Sequence, residues 1–168
     1  FEGKLSVGYG SYDEVKWNAT FNVPITENTA ARASIYSINR DGYIENINNG
    51  QLLGSDEQFG LRGKFLYTPG PDTRLTLTGT YVERNQDGQV DPVVEFGPFA
   101  SDSSKEFNAG IAGPENDKVN GNGFHPYEDK IGDLSLIWEQ ALGDYDLTSI
   151  TAVEYWEWFF SKDAPFRT

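Results

Sequence analysis

Val15-Lys16-Trp17-Asn18-Ala19-Thr20-Phe21-Asn22-Val23 alternates apolar and polar residues without a break. Val15, Trp17, Ala19, Phe21 and Val23 share one parity; Lys16, Asn18, Thr20 and Asn22 share the other. A period of two is the spacing at which side chains alternate across a β-strand, so this stretch predicts a strand with one apolar and one polar face. The same pattern extends in both directions. Upstream, Leu5, Val7 and Tyr9 alternate with Lys4, Ser6 and Gly8. Downstream, Ala31, Ala33 and Ile35 alternate with Arg32, Ser34 and Tyr36, then Phe59, Leu61, Gly63, Phe65 and Tyr67 with Gly60, Arg62 and Lys64. Leu75, Leu77, Gly79 and Tyr81 oppose Arg74, Thr76, Thr78 and Thr80. Two more strands are expected at about 131–141 (Leu134, Leu136, Trp138) and 145–160. The latter carries apolar residues on both parities, which leaves its faces open.

The connections come in two kinds. Breaker clusters at Pro24 to Thr29, at Thr68-Pro69-Gly70-Pro71-Asp72 and at Leu142-Gly143-Asp144 predict short turns between antiparallel strands. Between them lie a tight link at Gly10 to Asp13 and two long polar connections, about 40–57 and about 85–130. The chain is therefore expected to be an all-β, antiparallel up-and-down meander of about seven strands. Short turns gather at one end and mostly long loops at the other, as in outer-membrane barrels. Strands of 10 or more residues and aromatics near strand ends (Tyr9, Trp17, Tyr67, Tyr81, Tyr155, Trp156, Trp158) agree with part of a transmembrane β-barrel. A soluble carbohydrate-binding β-sandwich is the alternative, because its strands alternate in the same way.

Composition narrows the chemistry. The 168 residues are 38% apolar and 23% charged, within the globular range, so collagen-like and disordered classes are disfavoured. There is no cysteine and a single histidine, His125, which removes disulfide frameworks, thiolate metal sites and His-cluster zinc or iron sites. No metal or other cofactor is expected. A net charge of -13 argues against nucleic acid, whose phosphates require clustered Lys and Arg. No run of about 20 apolar residues could form a membrane helix, but barrel strands need only about 9–11 alternating residues. The chain holds no methionine and begins Phe1-Glu2-Gly3 inside a strand-like pattern, so residues 1–168 are expected to be a piece of a longer protein.

Ordered signatures add a resemblance. Gly3-Lys4-Leu5-Ser6-Val7-Gly8-Tyr9-Gly10-Ser11-Tyr12, a strand ending Asn22-Val23-Pro24-Ile25, and Ala31-Arg32-Ala33-Ser34 leading to Asn39-Arg40-Asp41-Gly42-Tyr43-Ile44-Glu45-Asn46 resemble the start of the barrel in TonB-dependent outer-membrane receptors. So do Gly60-Leu61-Arg62-Gly63-Lys64-Phe65-Leu66-Tyr67-Thr68-Pro69, the strand from Leu75 to Tyr81, and Tyr145-Asp146-Leu147-Thr148-Ser149-Ile150-Thr151. The resemblance covers most of the chain outside about 85–130. It implies a bacterial outer-membrane location and a barrel of about 22 strands around a plug. It further implies energy-coupled uptake of a small ligand (siderophore, vitamin or oligosaccharide), with periplasmic TonB acting through the plug rather than through this segment. Plug and remaining strands lie outside residues 1–168. Outer-membrane lipid is then a partner, and no enzymatic activity is implied.

Candidate contacts concentrate in 85–130, which the resemblance makes an extracellular loop. Phe124, His125 and Tyr127 combine apolar area with hydrogen-bonding groups and are the expected ligand-binding residues. No catalytic residues are expected: His125 has no evident partner, and no carboxylate pair stands out for glycoside hydrolysis. Calcium near Asp87 to Asp91 or Glu115 to Asp117 is conceivable from the oxygen ligands, although neither matches a complete EF-hand loop. The run Glu154-Tyr155-Trp156-Glu157-Trp158-Phe159-Phe160 is expected to be an aromatic girdle at a lipid interface, with a sugar-stacking platform as its alternative. Arg62 and Lys64 are expected to line the lumen and pair with carboxylates of the plug or neighbouring strands.

Overall fold

The computed structural model describes residues 1–87, 92–108, 110–121 and 126–161. In chain order these form β1 (Glu2–Tyr9), β2 (Val15–Thr26), β3 (Thr29–Arg40), the short β4 (Ile44–Asn46) and β5 (Gln51–Leu53), β6 (Asp56–Gly70), β7 (Thr73–Gln86), helix α1 (Asp102–Phe107), the two-residue β8 (Lys118–Val119), β9 (Tyr127–Leu142) and β10 (Tyr145–Phe160). Seven strands make one open antiparallel sheet in the order β1-β2-β3-β6-β7-β9-β10, an all-β meander as the alternation predicts. The sheet is not closed: β1 and β10 are its edges. No helix among the described residues is long and apolar enough to cross a membrane.

The three short turns lie at one end of the sheet. Gly143 has φ +67°, the left-handed geometry that a two-residue hairpin turn requires between β9 and β10. The hydroxyls of Thr26 and Thr29 meet at 2.7 Å across the β2–β3 turn. Proline cannot donate to a ladder, and two of the three prolines of this end sit where the pairing slips, Pro24 beside a bulge in β2 and Pro69 in the irregular step between Tyr67 and Gly70, while Pro71 lies in the β6–β7 turn itself.

In an antiparallel sheet directly paired residues share a face. The register therefore joins the single-strand patterns into continuous rows. Leu5, Ala19, Ile35, Leu61, Tyr81, Gly132 and Tyr155 form one row; Val23, Ala31, Phe65, Leu77, Leu136 and Thr151 form another. The opposite face carries rows such as Thr20, Ser34, Arg62, Thr80, Asp133 and Glu154. The apolar face remains uncovered. Leu5 is 70% exposed, Leu77 41% and Leu136 42%, and Ala19 is the only buried apolar residue of the main sheet among the described residues. A β-sandwich would bury this parity under a second sheet; the second sheet here, β5-β4-β8, has strands of two or three residues.

Two sequence expectations change. Strand β9 begins at Tyr127 rather than about 131, and β7 runs to Gln86, so the long connection is 87–126. The 41–55 connection is not plain loop but holds the β4–β5 hairpin, whose Ile44 and Leu53 are directly paired and buried.

Gly60 shows how tightly the polar face is packed. A Cβ at this position would lie 2.0 Å from the ring of Tyr36, its cross-strand partner, so the ring lies over the glycine. Gly60→Ala is expected to push Tyr36 out of its rotamer and lower stability by about 1–3 kcal/mol, as overpacking does. Gly63→Ala, where no atom lies within 4 Å, is the matched control in the same urea titration.

Candidate ligand-binding site

Chemical variety on the polar face is greatest at the long-loop end, where three successive rows cross the sheet. The outermost holds Arg40 opposite Asp56, then Gln86, Tyr127 and Phe160; the next holds Ile38, Gln58, Arg84, Asp129 and Trp158; the third holds Tyr36, Gly60, Val82, Ile131 and Trp156. Strand alternation puts Trp156, Trp158 and Phe160 on one face because they are spaced by two. Their rings follow each other at 6.5 and 6.0 Å, with interplanar angles of 26° and 11°.

This stripe corrects the assignment of Trp156 and Trp158 to the same girdle as Tyr155. Tyr155 pairs with Gly132 on the apolar face, whereas Trp156 and Trp158 pair with Ile131 and Asp129 on the polar one. Parity within β10 could not decide this, because both of its parities are apolar. The partner strand decides it.

Beside the aromatic stripe lies a hydrogen-bonded polar block. Asp56, 9% exposed, accepts from Arg84 Nε at 3.0 Å, Gln86 Nε2 at 3.1 Å and Gln58 Nε2 at 2.9 Å. Between block and stripe, Asp129 accepts the indole N–H of Trp156 at 2.6 Å, which fixes the orientation of that ring.

The loops above this end are joined to one another. Strand β8, from the 87–126 connection, pairs in parallel with β4 of the 41–55 connection. Asn46 is fully buried at the junction: its Nδ2 donates to the Gly121 carbonyl at 3.1 Å, and its Oδ1 accepts from the N–H of Gly121 at 3.1 Å and of Asn48 at 3.2 Å. Lys118 adds an ion pair to Glu45 at 3.2 Å. The β1–β2 link contributes Tyr12 and Asp13, both with positive φ, a backbone conformation that bulky residues rarely adopt. Tyr12 is held there by stacking on Tyr43 at 4.6 Å, and the Arg40 guanidinium lies 5.5 Å from the same ring.

Of the residues expected to bind ligand, Tyr127 sits at the head of the aromatic stripe, directly opposite Phe160. Phe124 and His125 lie outside the described residues. Residues 88–91 of the first conceivable calcium segment do so as well. In the second, Asn116 serves the backbone, accepting the Lys118 N–H at 2.8 Å and donating to the Val93 carbonyl at 3.1 Å. Among the described residues no three His, Asp or Glu side chains converge as a metal site. Sequence reasoning missed the Asp56 block and the Asn46 junction. Both are assembled from residues far apart in the chain, and only the run Asn46-Ile47-Asn48-Asn49-Gly50 signals a structured turn.

The arrangement offers flat aromatic surface next to fixed hydrogen-bonding groups at the open end of a sheet, a combination suited to holding a ligand by stacking and orienting it by hydrogen bonds. The chain matches no protein-family model, no curated protein and no solved structure.

Proposed function

We propose that this chain is a segment of the barrel of a TonB-dependent outer-membrane receptor. Its apolar face meets lipid, its polar face lines the lumen, and its long connections capture an imported small ligand at the cell exterior. The observation that carries the reading is the apolar face and its limits. It spans seven strands with exposed Leu, Val, Ala and Phe, an area that soluble proteins rarely leave open. Aromatic residues bound it on both sides. Toward the long loops, Tyr81 donates to Glu83 at 2.9 Å and Tyr155 to Glu157 at 2.5 Å, while Tyr9 hydrogen-bonds Asp13. Rings toward the apolar zone and hydroxyls on charged groups are what a membrane interface favours. Toward the short turns stand Tyr67 and Trp138 in one row, and Tyr145. From Tyr145 to Tyr155 the strand rises about 33 Å, which at a tilt of about 40° projects to about 25 Å, the height of an outer-membrane apolar band.

The resemblance of the ordered sequence signatures narrows the barrel to the TonB-dependent class, and with it the plug and TonB as partners. The stripe from Tyr127 to Trp156 supports the long-loop end as the place of ligand contact.

Four tryptophans test the lipid assignment, since Trp17 and Trp138 are on the apolar face and Trp156 and Trp158 on the polar one. In single-tryptophan variants folded into vesicles of brominated phospholipid, fluorescence of Trp17 and Trp138 is expected to be quenched several-fold more than that of Trp156 and Trp158. Equal quenching of all four, or none, would reject the reading.

A further inference from the structure

A separate feature lies on the polar face in the half nearer the short turns. Arg32 and Lys64 are directly opposed in the β3–β6 register, an arrangement of like charges that costs stability unless an anion lies between them. Arg62 follows two residues before Lys64 on the same face. Arg74 joins Arg32 and Lys64 around one groove of about 460 Å³, whose wall also includes Asn22, Thr76 and Glu139. None of these four cations forms an ion pair among the described residues, not even Arg74 with Glu139, its register partner. The chain has 26 acidic side chains against 13 basic ones. In such a chain, three cations around one groove with a single unpaired carboxylate form a local reversal of the overall charge.

The groove has the size of a small-molecule site, and guanidinium groups hold carboxylate and phosphate in matched two-point geometry. Thr76 adds a neutral hydrogen-bonding group on its wall, whereas the side-chain amide of Asn22 donates to Glu2 at 3.0 Å.

We propose that this groove binds a small oligoanion carrying two or more carboxylate or phosphate groups, held by Arg32, Lys64 and Arg74. The oligoanion replaces the carboxylates of plug or neighbouring strands as the partner of Lys64, which pairs with no carboxylate among the described residues. The groove is distinct from the aromatic stripe, and it stands on the polar face alone, so the lipid-quenching result does not decide it. The expected experiment is calorimetric titration of the full chain, folded in non-ionic detergent at low salt, with pyrophosphate and with citrate, and with acetate as the single-charge reference. One saturable site for at least one oligoanion is expected, weakened by rising salt. Tighter pyrophosphate identifies a phosphate site; tighter citrate identifies a carboxylate site. Arg32→Gln and Lys64→Gln are each expected to weaken binding about tenfold or more, as loss of a charge-assisted hydrogen bond does. Lys64→Arg keeps the charge and is expected to retain binding, as is Lys118→Gln in the distant loops. Should either glutamine variant fail to fold, the Lys64→Arg result and the salt dependence of the wild type still decide. Failure of both oligoanions to bind the folded wild type better than acetate would overturn the proposal, as would undiminished binding by folded Arg32→Gln and Lys64→Gln variants.

Discussion

Leu77→Arg is expected to lower the stability of the chain folded in lipid by about 2–4 kcal/mol, the cost of a cation on the lipid face of a barrel near the bilayer midplane. Leu77 lies between Phe65 and Leu136 in one register row, with the aromatic limits of the apolar face to either side along the strand. An arginine there has no carboxylate within its own row and must distort the surrounding lipid or stretch to the interface. Thr80→Arg, three residues on and on the other face, is expected to cost much less, because Thr80 is flanked by Arg62 and Asp133 and the latter can pair with the new charge. Thr78 shares the polar parity but is 7% exposed, so an arginine there would be penalised for want of space and is not a fair control. The measurement is reversible urea unfolding in vesicles for both variants. Equal losses for Leu77→Arg and Thr80→Arg would mean that the faces are wrongly assigned.

The second large effect is expected at Asn46. Asn46→Leu keeps the volume of the side chain and removes its donor and acceptor, stranding the N–H groups of Gly121 and Asn48, while the Gly121 carbonyl keeps the Asn48 Nδ2 donor at 3.1 Å. Each buried polar group left without a partner costs about 1–3 kcal/mol. The loops can relieve that cost by coming apart, since β8 is held to β4 by short pairing and by the amides of Glu45 and Ile47 donating to Asp117 and Val119. The expected result is local: hydrogen exchange at the Ile47 and Gly121 amides accelerates on the order of 100-fold, while that of the β6 and β7 ladder is unchanged. A loss spread evenly over the main sheet would show instead that Asn46 supports the whole fold.

Both expectations depend on information of different range. The strand content, the meander, the position of the three short turns and the apolar parity of Leu5, Ala19 and Leu77 were determined by the sequence alone. Each follows from period-two alternation and from breaker residues within a few positions of one another, and such local signals survive without knowledge of the partner strand. The sequence places Tyr127 in the 85–130 loop, and the structure instead makes it the first residue of β9, opposite Phe160.

Tertiary structure alone decided the rest. The face of Trp156, Trp158 and Phe160 could not be read from β10, whose two parities are equally apolar, and was set by pairing with Ile131, Asp129 and Tyr127. The Asp56 block gathers Arg84 and Gln86 from a neighbouring strand, and Asn46 meets Gly121 across 75 positions of chain. The opposition of Arg32 to Lys64 likewise appears only when β3 and β6 are set in register. Alternation tells which side of a strand a residue occupies, but which residues lie beside it on that side is fixed by register and loop pairing, contacts between segments that no local pattern encodes.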